Sequence, residues 1–415
     1  MKFFINSYFG DNQSIGLLSH IKKRLPYGMD DQWMVFSHYT ERGWTVDNLW
    51  HIFTDFYGGQ YAPLAFLSYL VLYAGFGYDP FYFHMFSLLL HIGCVCLVWK
   101  LISSLLRVHG GVSEKQILYV NFITTLLFAV HPINVEAVAW ISALKVLLYA
   151  FFYLLGLLCY LRYIRTSKIF YYVLTIGCFL CSFWGKEQAV TFPLALLIVD
   201  WFTNRNIKNL EVWSEKMSFL IMAFFFGIIT VLSQGKGPYE MIFPLYQRLL
   251  FGCFALVEYI TKSLLPVNLN FFYPFPIVLG EEPPLHYYLY PVVLLFLMGW
   301  IIAYRNNRYL VFGVLLFLVN LLFSIHLFNM SRHAIVADRY MYLSYVGIAF
   351  LIANGIWWLR KRLSYFKAAL VFLFFYCFFL SVYTFHYTKK RENTTMVKKY
   401  TKEVLEKRLN GSNHL

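Results

Sequence analysis

Runs of about 20 apolar residues follow one another along most of this chain, with short polar breaks between them. A backbone in lipid must satisfy its own hydrogen bonds, so a run of this length crosses as a helix. Candidate spans lie at 82–106, 115–130, 145–161, 169–184, 188–203, 217–234, 286–304, 309–328, 338–358 and 365–387. Residues 247–265 are an eleventh stretch, in which Glu258 and Lys262 suit a helix lining a polar cavity better than a full crossing. Composition agrees. The 415 residues are 60% hydrophobic and 13% charged, against roughly 25% charged in a soluble domain. The expected fold class is an all-α polytopic membrane protein, a bundle of about 10–11 transmembrane helices.

Charge sets the topology. The basic clusters at 107–115, 162–168, 205–216, 305–308 and 360–367 form one set of loops, cytoplasmic by the positive-inside rule. The opposite, outer set holds Asp30-Asp31, His131–Glu136, Lys186-Glu187, the loops 235–246 and 266–286, and Arg332–Arg339. Alternation works only if 247–265 does not cross. By the same parity the basic tail after 387 is outside, with an amphipathic helix over 391–409. The net charge of +14 therefore reads as topology and contact with anionic lipid headgroups, with no nucleic-acid partner. All seven cysteines lie in apolar runs without zinc spacing and read as small core residues. Residues 1–20 carry Asp11, Asn12 and Gln13 where a signal peptide would be apolar.

Three regions follow. Residues 1–80 form an N-terminal segment and first outer loop, with interfacial helices near 47–53 and 62–76. Residues 81–387 form the bundle, and 388–415 a basic tail.

The most informative interruption is His131-Pro132-Ile133-Asn134-Val135-Glu136-Ala137-Val138-Ala139-Trp140. Proline removes a helical hydrogen bond. Ionisable groups at this depth are costly unless they face a partner, water or a ligand. Other unusual polar residues gather in the same outer loops: Asp30, Asp31, Lys186, Glu187, Arg332, Asp338 and Arg339. Carboxylates can act as general bases, and Arg or Lys can hold a phosphate. The bland reading of each is an ion pair or cap that fixes the end of a bundle. His84 and His91 fit interhelical hydrogen bonders.

Six blocks in order carry a family resemblance. They are Asp30-Asp31 followed by Trp44 and Asn48-Leu49; His84 with His91; His131-Pro132 through Val135-Glu136 to Trp140-Ile141-Ser142; Lys186-Glu187 with Val190-Thr191 and Pro193; Leu265-Pro266-Val267-Asn268-Leu269; and Ala337-Asp338-Arg339-Tyr340 with Tyr342-Leu343. Together they resemble the membrane domain of the transmembrane-and-TPR protein O-mannosyltransferases and their bacterial relatives, which have the GT-C glycosyltransferase fold. The resemblance covers about residues 29–345. It implies transfer of a sugar from a polyprenyl-phosphate carrier to a hydroxyl acceptor, a protein Ser/Thr or a glycan, on the extracytoplasmic face, with inversion. The carrier is a substrate, and no cofactor or metal is implied. Asp30, with Asp31 beside it, would take the acceptor proton. A lipid phosphate leaves already ionised and needs cations more than an acid. Arg339 is the first candidate, then Lys186, Arg332 and Lys145, with His131, Glu136 and Glu187 lining the site.

Three departures matter. Relatives carry Arg-Lys-Asp where this chain has Leu144-Lys145-Val146, and an asparagine where it has Ser87. Residues 1–28 are too polar for the first spanning helix of the family, as a mis-set start would explain. The short form, without the soluble repeats, points to a bacterial inner membrane. The rival readings are a transporter or flippase of a lipid-linked substrate, which calls for repeats and broken helices, and an inactive membrane scaffold.

Overall fold

The computed structural model describes residues 31–234, 243–270, 272–327 and 334–392. The first outer loop contributes four helices: α1 (Asp31–Met34), α2 (His38–Glu41), α3 (Val46–Thr54) and α4 (Pro63–Phe76). The bundle follows with α5 (Pro80–His109), α6 (Glu114–Val130), the short α7 (Val135–Ala139), α8 (Leu144–Thr166), α9 (Ile169–Gly185), α10 (Phe192–Phe202), α11 (Leu210–Gln234) and α12 (Leu245–Leu264). It ends with α13 (Leu289–Ala303), α14 (Arg308–Leu321), α15 (Met341–Trp358) and α16 (Leu363–Glu392). Two short strands, β1 (Tyr273–Pro274) and β2 (Ala334–Val336), pair antiparallel with Tyr273 opposite Val336.

Local sequence sets the helix ends. Asp79 caps α5 by accepting from the Phe81 amide, Pro80 opens the first turn, and Arg107 and His109 occupy the last. This is the expected order of cap, proline and terminal cations. Ser113 caps α6 through the Gln116 amide, and Asn307 caps α14 through the amides of Tyr309 and Leu310.

Helices occupy every expected span, but not at the expected length. Among the described residues six helices are long and apolar enough to cross alone, or seven if the bent pair Glu114–Val130 and Pro132–Ala139 is one span. The stretches at 169–184 and 309–328 hold shorter apolar helices, of 17 and 14 residues. The 188–203 stretch begins as a 3-10 turn, and Pro193 then opens an α10 of only 11 residues. Proline favours a helix's first turn and cannot bond back to the turn before it. As expected, α12 is not among the candidate spans. It packs on α13, β2 and the 3-10 turn Leu285–Tyr288 at one end of the bundle.

The core sits on α8. In its apolar window 78% of residues are buried, against 6% for α13, whose faces are left to lipid. Helix α8 lies between α5 and α9, and α14 and α15 form a second tight pair. There Gly313 faces Gly347. A Cβ at Gly347 would lie 2.7 Å from the Phe317 backbone nitrogen, so this approach needs glycine.

The loops sort to two ends as their charges require. The basic loops converge on the C-terminus of α10. The His109 ring lies 2.7 Å from the Phe202 carbonyl, Arg308 donates to the Trp201 carbonyl and the Asn204 side chain, and Arg205 pairs with Glu215 at 2.7 Å. At the other end Asp31 meets Ser142, Glu136 meets Arg339, and the Phe53 ring packs on Trp184. The end of α16 is there too: Thr384 donates to the Val130 carbonyl, and the Tyr383 hydroxyl accepts from the Leu269 amide. This is the end that parity assigns to it.

Candidate functional site

The His131–Trp140 stretch makes the floor of the site. His131 closes α6 and caps the turn Pro132–Asn134, its Nδ1 accepting from the Ile133 amide at 3.2 Å. Its ring lies 4.2 Å from that of Tyr345. Asn134 donates to the Phe128 carbonyl at 2.7 Å, which satisfies an acceptor left open at the end of α6. The break between spans is therefore a built turn in which side chains take the Ile133 amide and the Phe128 carbonyl. Helix α7 then presents Glu136.

Glu136 holds Arg339 twice. Its Oε2 accepts from the Arg339 amide and its Oε1 from the guanidinium, each at 2.7 Å. The carboxylate is buried, while the Arg339 side chain keeps 22% exposure. The guanidinium also lies over the rings of Trp140, at 5.3 Å, and Tyr340, at 5.1 Å. Two aromatic faces and a carboxylate thus fix a cation at the edge of the site. Lys186, 2% exposed, reaches the same Tyr340 ring from the end of α9, at 4.6 Å. Glu187, half-buried, opens the following 3-10 turn.

The first outer loop is fastened to this floor. Asp31 is 6% exposed. Its Oδ1 accepts from the Ser142 amide at 3.0 Å and from the Ser142 hydroxyl. Lys145, one turn on, donates to the Gln60 side chain and touches the Met34 sulfur at 3.9 Å. The Tyr69 hydroxyl donates to the Ile141 carbonyl at 2.9 Å. Asp31, Lys145, Glu136, Arg339 and Lys186 therefore gather at one end of the bundle. Asp30 and Arg332 lie outside the described residues. His84 lies along α5, and His91 bridges helices as expected, with Nδ1 2.7 Å from the Tyr342 hydroxyl.

A second charged layer backs the first. Asp338, fully buried beside Arg339, accepts from the Tyr273 hydroxyl at 3.0 Å and faces Lys262 at 3.8 Å. Lys262 stands 3.4 Å from the centre of the Tyr273 ring and 4.0 Å from Glu258. Burial draws Lys262 below its usual range, and Asp338, Glu258 and Glu136 pull it partly back. Burial, and then Asp338, push the Tyr273 hydroxyl far above its usual range. This layer ties α12 and β1 to the backbone that carries Arg339. Sequence reasoning found Lys262 as a cavity residue and missed Tyr273. It also missed Ser142 as the Asp31 donor, a contact across 111 residues that no local signal announces. Among the described residues no group of three or more His, Cys, Asp or Glu could hold a metal.

Fold and site define a class: an all-α, multi-pass integral membrane protein with a carboxylate-and-cation cluster at one end of its bundle. Within that class the chain is similar in sequence to protein O-mannosyl-transferases. It is 32% identical over 189 residues to protein O-mannosyl-transferase TMTC2 from Mus musculus, covering 41% of this chain and 21% of the relative. It is 33% identical over 189 residues to the Homo sapiens TMTC2 protein, with the same coverage. It is 28% identical over 172 residues to Tmtc3 from Drosophila melanogaster, 37% of this chain and 18% of the relative. The chain thus spans about a fifth of the length of these curated relatives. No family model matches the chain, and no solved structure matches it.

Proposed function

We propose that the chain is a membrane glycosyltransferase of GT-C type. It would move a sugar, mannose by the relatives' printed names, from a polyprenyl-phosphate carrier to a protein Ser/Thr or glycan hydroxyl on the extracytoplasmic face. The observation that carries the reading is the joining of the first outer loop, through Asp31 and Ser142, to the segment that presents Glu136 and Arg339.

The chemistry needs a base on one side and a cation on the other. The acceptor hydroxyl gives its proton to a carboxylate, its oxygen attacks the anomeric carbon, and the bond from that carbon to the phosphate oxygen breaks. The polyprenyl phosphate departs with the electron pair, and the configuration inverts. Asp30 fills the base role. Asp31, with two Ser142 donors on one oxygen, is the residue that positions it. Arg339 and Lys186, both against the Tyr340 ring, stabilise the leaving phosphate, with Arg332 and Lys145 as further cations. Glu136 orients Arg339, and Glu187 and His131 shape the turns around it.

At the His131 break, side chains occupy the Ile133 amide and the Phe128 and Val130 carbonyls, backbone groups that a transporter's broken helix would turn to ions or substrate. A bacterial inner membrane, expected from the short form, draws no support from these animal relatives.

The test is transfer of labelled mannose from a synthetic polyprenyl-phosphate mannose to a Ser/Thr peptide, by the wild type, Asp30→Asn and Arg339→Ala. Transfer by the wild type alone supports the reading. Full transfer by Asp30→Asn removes the base, and no transfer by any form removes the enzyme.

A further inference from the structure

At the end of the bundle opposite Arg339, α5 and α6 diverge around a cavity of about 350 Å³. Arg107, from the last turn of α5, and Lys115, from the first turn of α6, line it together with Glu114. Trp99 and Leu118 line its apolar side, and the buried Asn121 lies deeper. Trp99 is 38% exposed and Leu118 57%, on helix faces that a membrane would cover with lipid. The cavity therefore has a cationic side at the basic-loop end and an apolar side along the spans.

This arrangement is built unlike a structural ion pair. Arg107 and Glu114 meet at 3.3 Å, with side chains 57% and 76% exposed. An exposed pair of this kind contributes little and opens readily. Two cations against one carboxylate leave a surplus positive charge beside an apolar wall. A tryptophan on that wall suits the boundary between headgroups and acyl chains. The volume suits a headgroup and the start of a chain, since small-molecule sites begin at roughly 300 Å³. Basic pockets between helices on the cytoplasmic side suit phosphate headgroups.

We propose that this cavity holds the headgroup of an anionic glycerophospholipid. Arg107 and Lys115 take its phosphate, and an acyl chain runs past Trp99 and Leu118. The site is separate from the glycosyltransferase reading and stands without it.

The test is native mass spectrometry of the full-length protein released from detergent, titrated with phosphatidylglycerol, phosphatidylcholine or inorganic phosphate. Phosphatidylglycerol should be retained at several-fold lower concentration than phosphatidylcholine, with inorganic phosphate a weak competitor. The Arg107→Gln/Lys115→Gln variant should need about thirtyfold more phosphatidylglycerol, each cation near an anionic surface contributing a factor of about five. Arg165→Gln/Lys168→Gln, at another basic loop, should bind as the wild type does. Leu118→Asn keeps both cations and should weaken lipid retention without changing phosphate competition, which gives a second reading should the double variant fold poorly. Equal retention of the two lipids, unchanged binding by both Arg107→Gln/Lys115→Gln and Leu118→Asn, or phosphate competing as strongly as lipid would each overturn the proposal.

Discussion

Glu136 accepts from both the backbone amide and the guanidinium of Arg339, at 2.7 Å each, across 203 residues of sequence. One carboxylate therefore sets the position of the Arg339 backbone and the direction of its side chain. Replacing Glu136 by Ala should do more than remove a charge. It leaves a largely buried guanidinium without its anion, a loss of about 3–5 kcal/mol when such a pair is fully buried, and somewhat less at the exposure seen here. Glu136→Gln keeps one acceptor oxygen of the two and turns an NH2 donor towards the other Arg339 donor, so it should lose stability as well, though less than Glu136→Ala. Thermal unfolding of both variants in one detergent checks the order; equal midpoints would deny the pair its role.

Arg339→Lys separates charge from shape. Lysine keeps the cation but loses the planar fork that reaches Glu136 and lies over Trp140 and Tyr340. Transfer should fall about a hundredfold or more, as when a fixed donor is lost from a charge-stabilising site, with a smaller loss of unfolding stability than Glu136→Ala causes. Steady-state transfer with the lysine variant checks this, and near-wild-type turnover would point to charge alone.

The fold was legible where its cause is local, and the site only in part. Apolar runs become helices because each segment must close its own hydrogen bonds, so 82–106 and 145–161 read directly. Polar breaks read as loops for the same reason, and His131–Trp140 stood out because its residues are costly in lipid. Pairings were not legible. Nothing near Glu136 points to Arg339, and nothing near Asp31 points to Ser142. Asp200, inside the expected span 188–203, and Lys216, at the edge of the basic cluster 205–216, carry no sign of each other, yet they meet at 2.6 Å with both side chains fully buried. Helix length was also hidden at 188–203, where hydropathy continues through a 3-10 turn that only Pro193 signals.

Ser142→Ala should loosen the first outer loop. The hydroxyl is lost from Asp31, which keeps the Ser142 amide as a donor. Under-satisfying a buried carboxylate costs about 1–3 kcal/mol. Limited proteolysis within residues 31–60 should accelerate while the rest of the bundle stays resistant. An unchanged cleavage rate would show that the loop is held elsewhere.

Lys262 gives a pH dependence of defined sign. Burial lowers its pKa, against the pull of Asp338, Glu258 and Glu136 and beside the Tyr273 ring. The folded state then releases this proton at lower pH than the unfolded chain does. Where the unfolded state binds more protons, stability rises with pH. The wild type should therefore gain stability relative to Lys262→Met as pH climbs from neutral towards the ordinary lysine range. Unfolding of the two proteins at matched pH values checks this; a difference that stays flat or falls would contradict it.

The basic-loop end offers the largest effect on stability. Asp200 accepts from the Tyr160 hydroxyl at 2.7 Å, pairs with Lys216 at 2.6 Å and faces Arg205 at 3.0 Å. Glu215 joins Arg205 at 2.7 Å, so α8, α10 and α11 are tied by one network. Asp200→Asn removes the anion and leaves the Lys216 ammonium, with no exposed surface, facing a neutral amide, the Tyr160 hydroxyl and Glu215 at 3.2 Å. Breaking a buried pair from one side costs about 3–5 kcal/mol, whereas replacing both partners by apolar groups is often neutral. The variant Asp200→Leu/Lys216→Met should accordingly unfold at a higher temperature than Asp200→Asn. The comparison separates a network that stabilises through its charges from one whose charges need only be matched. Equal loss in the single and double variants would mean that the hydrogen bonds from Tyr160 and Arg205, and not the charge balance, hold these three helices together.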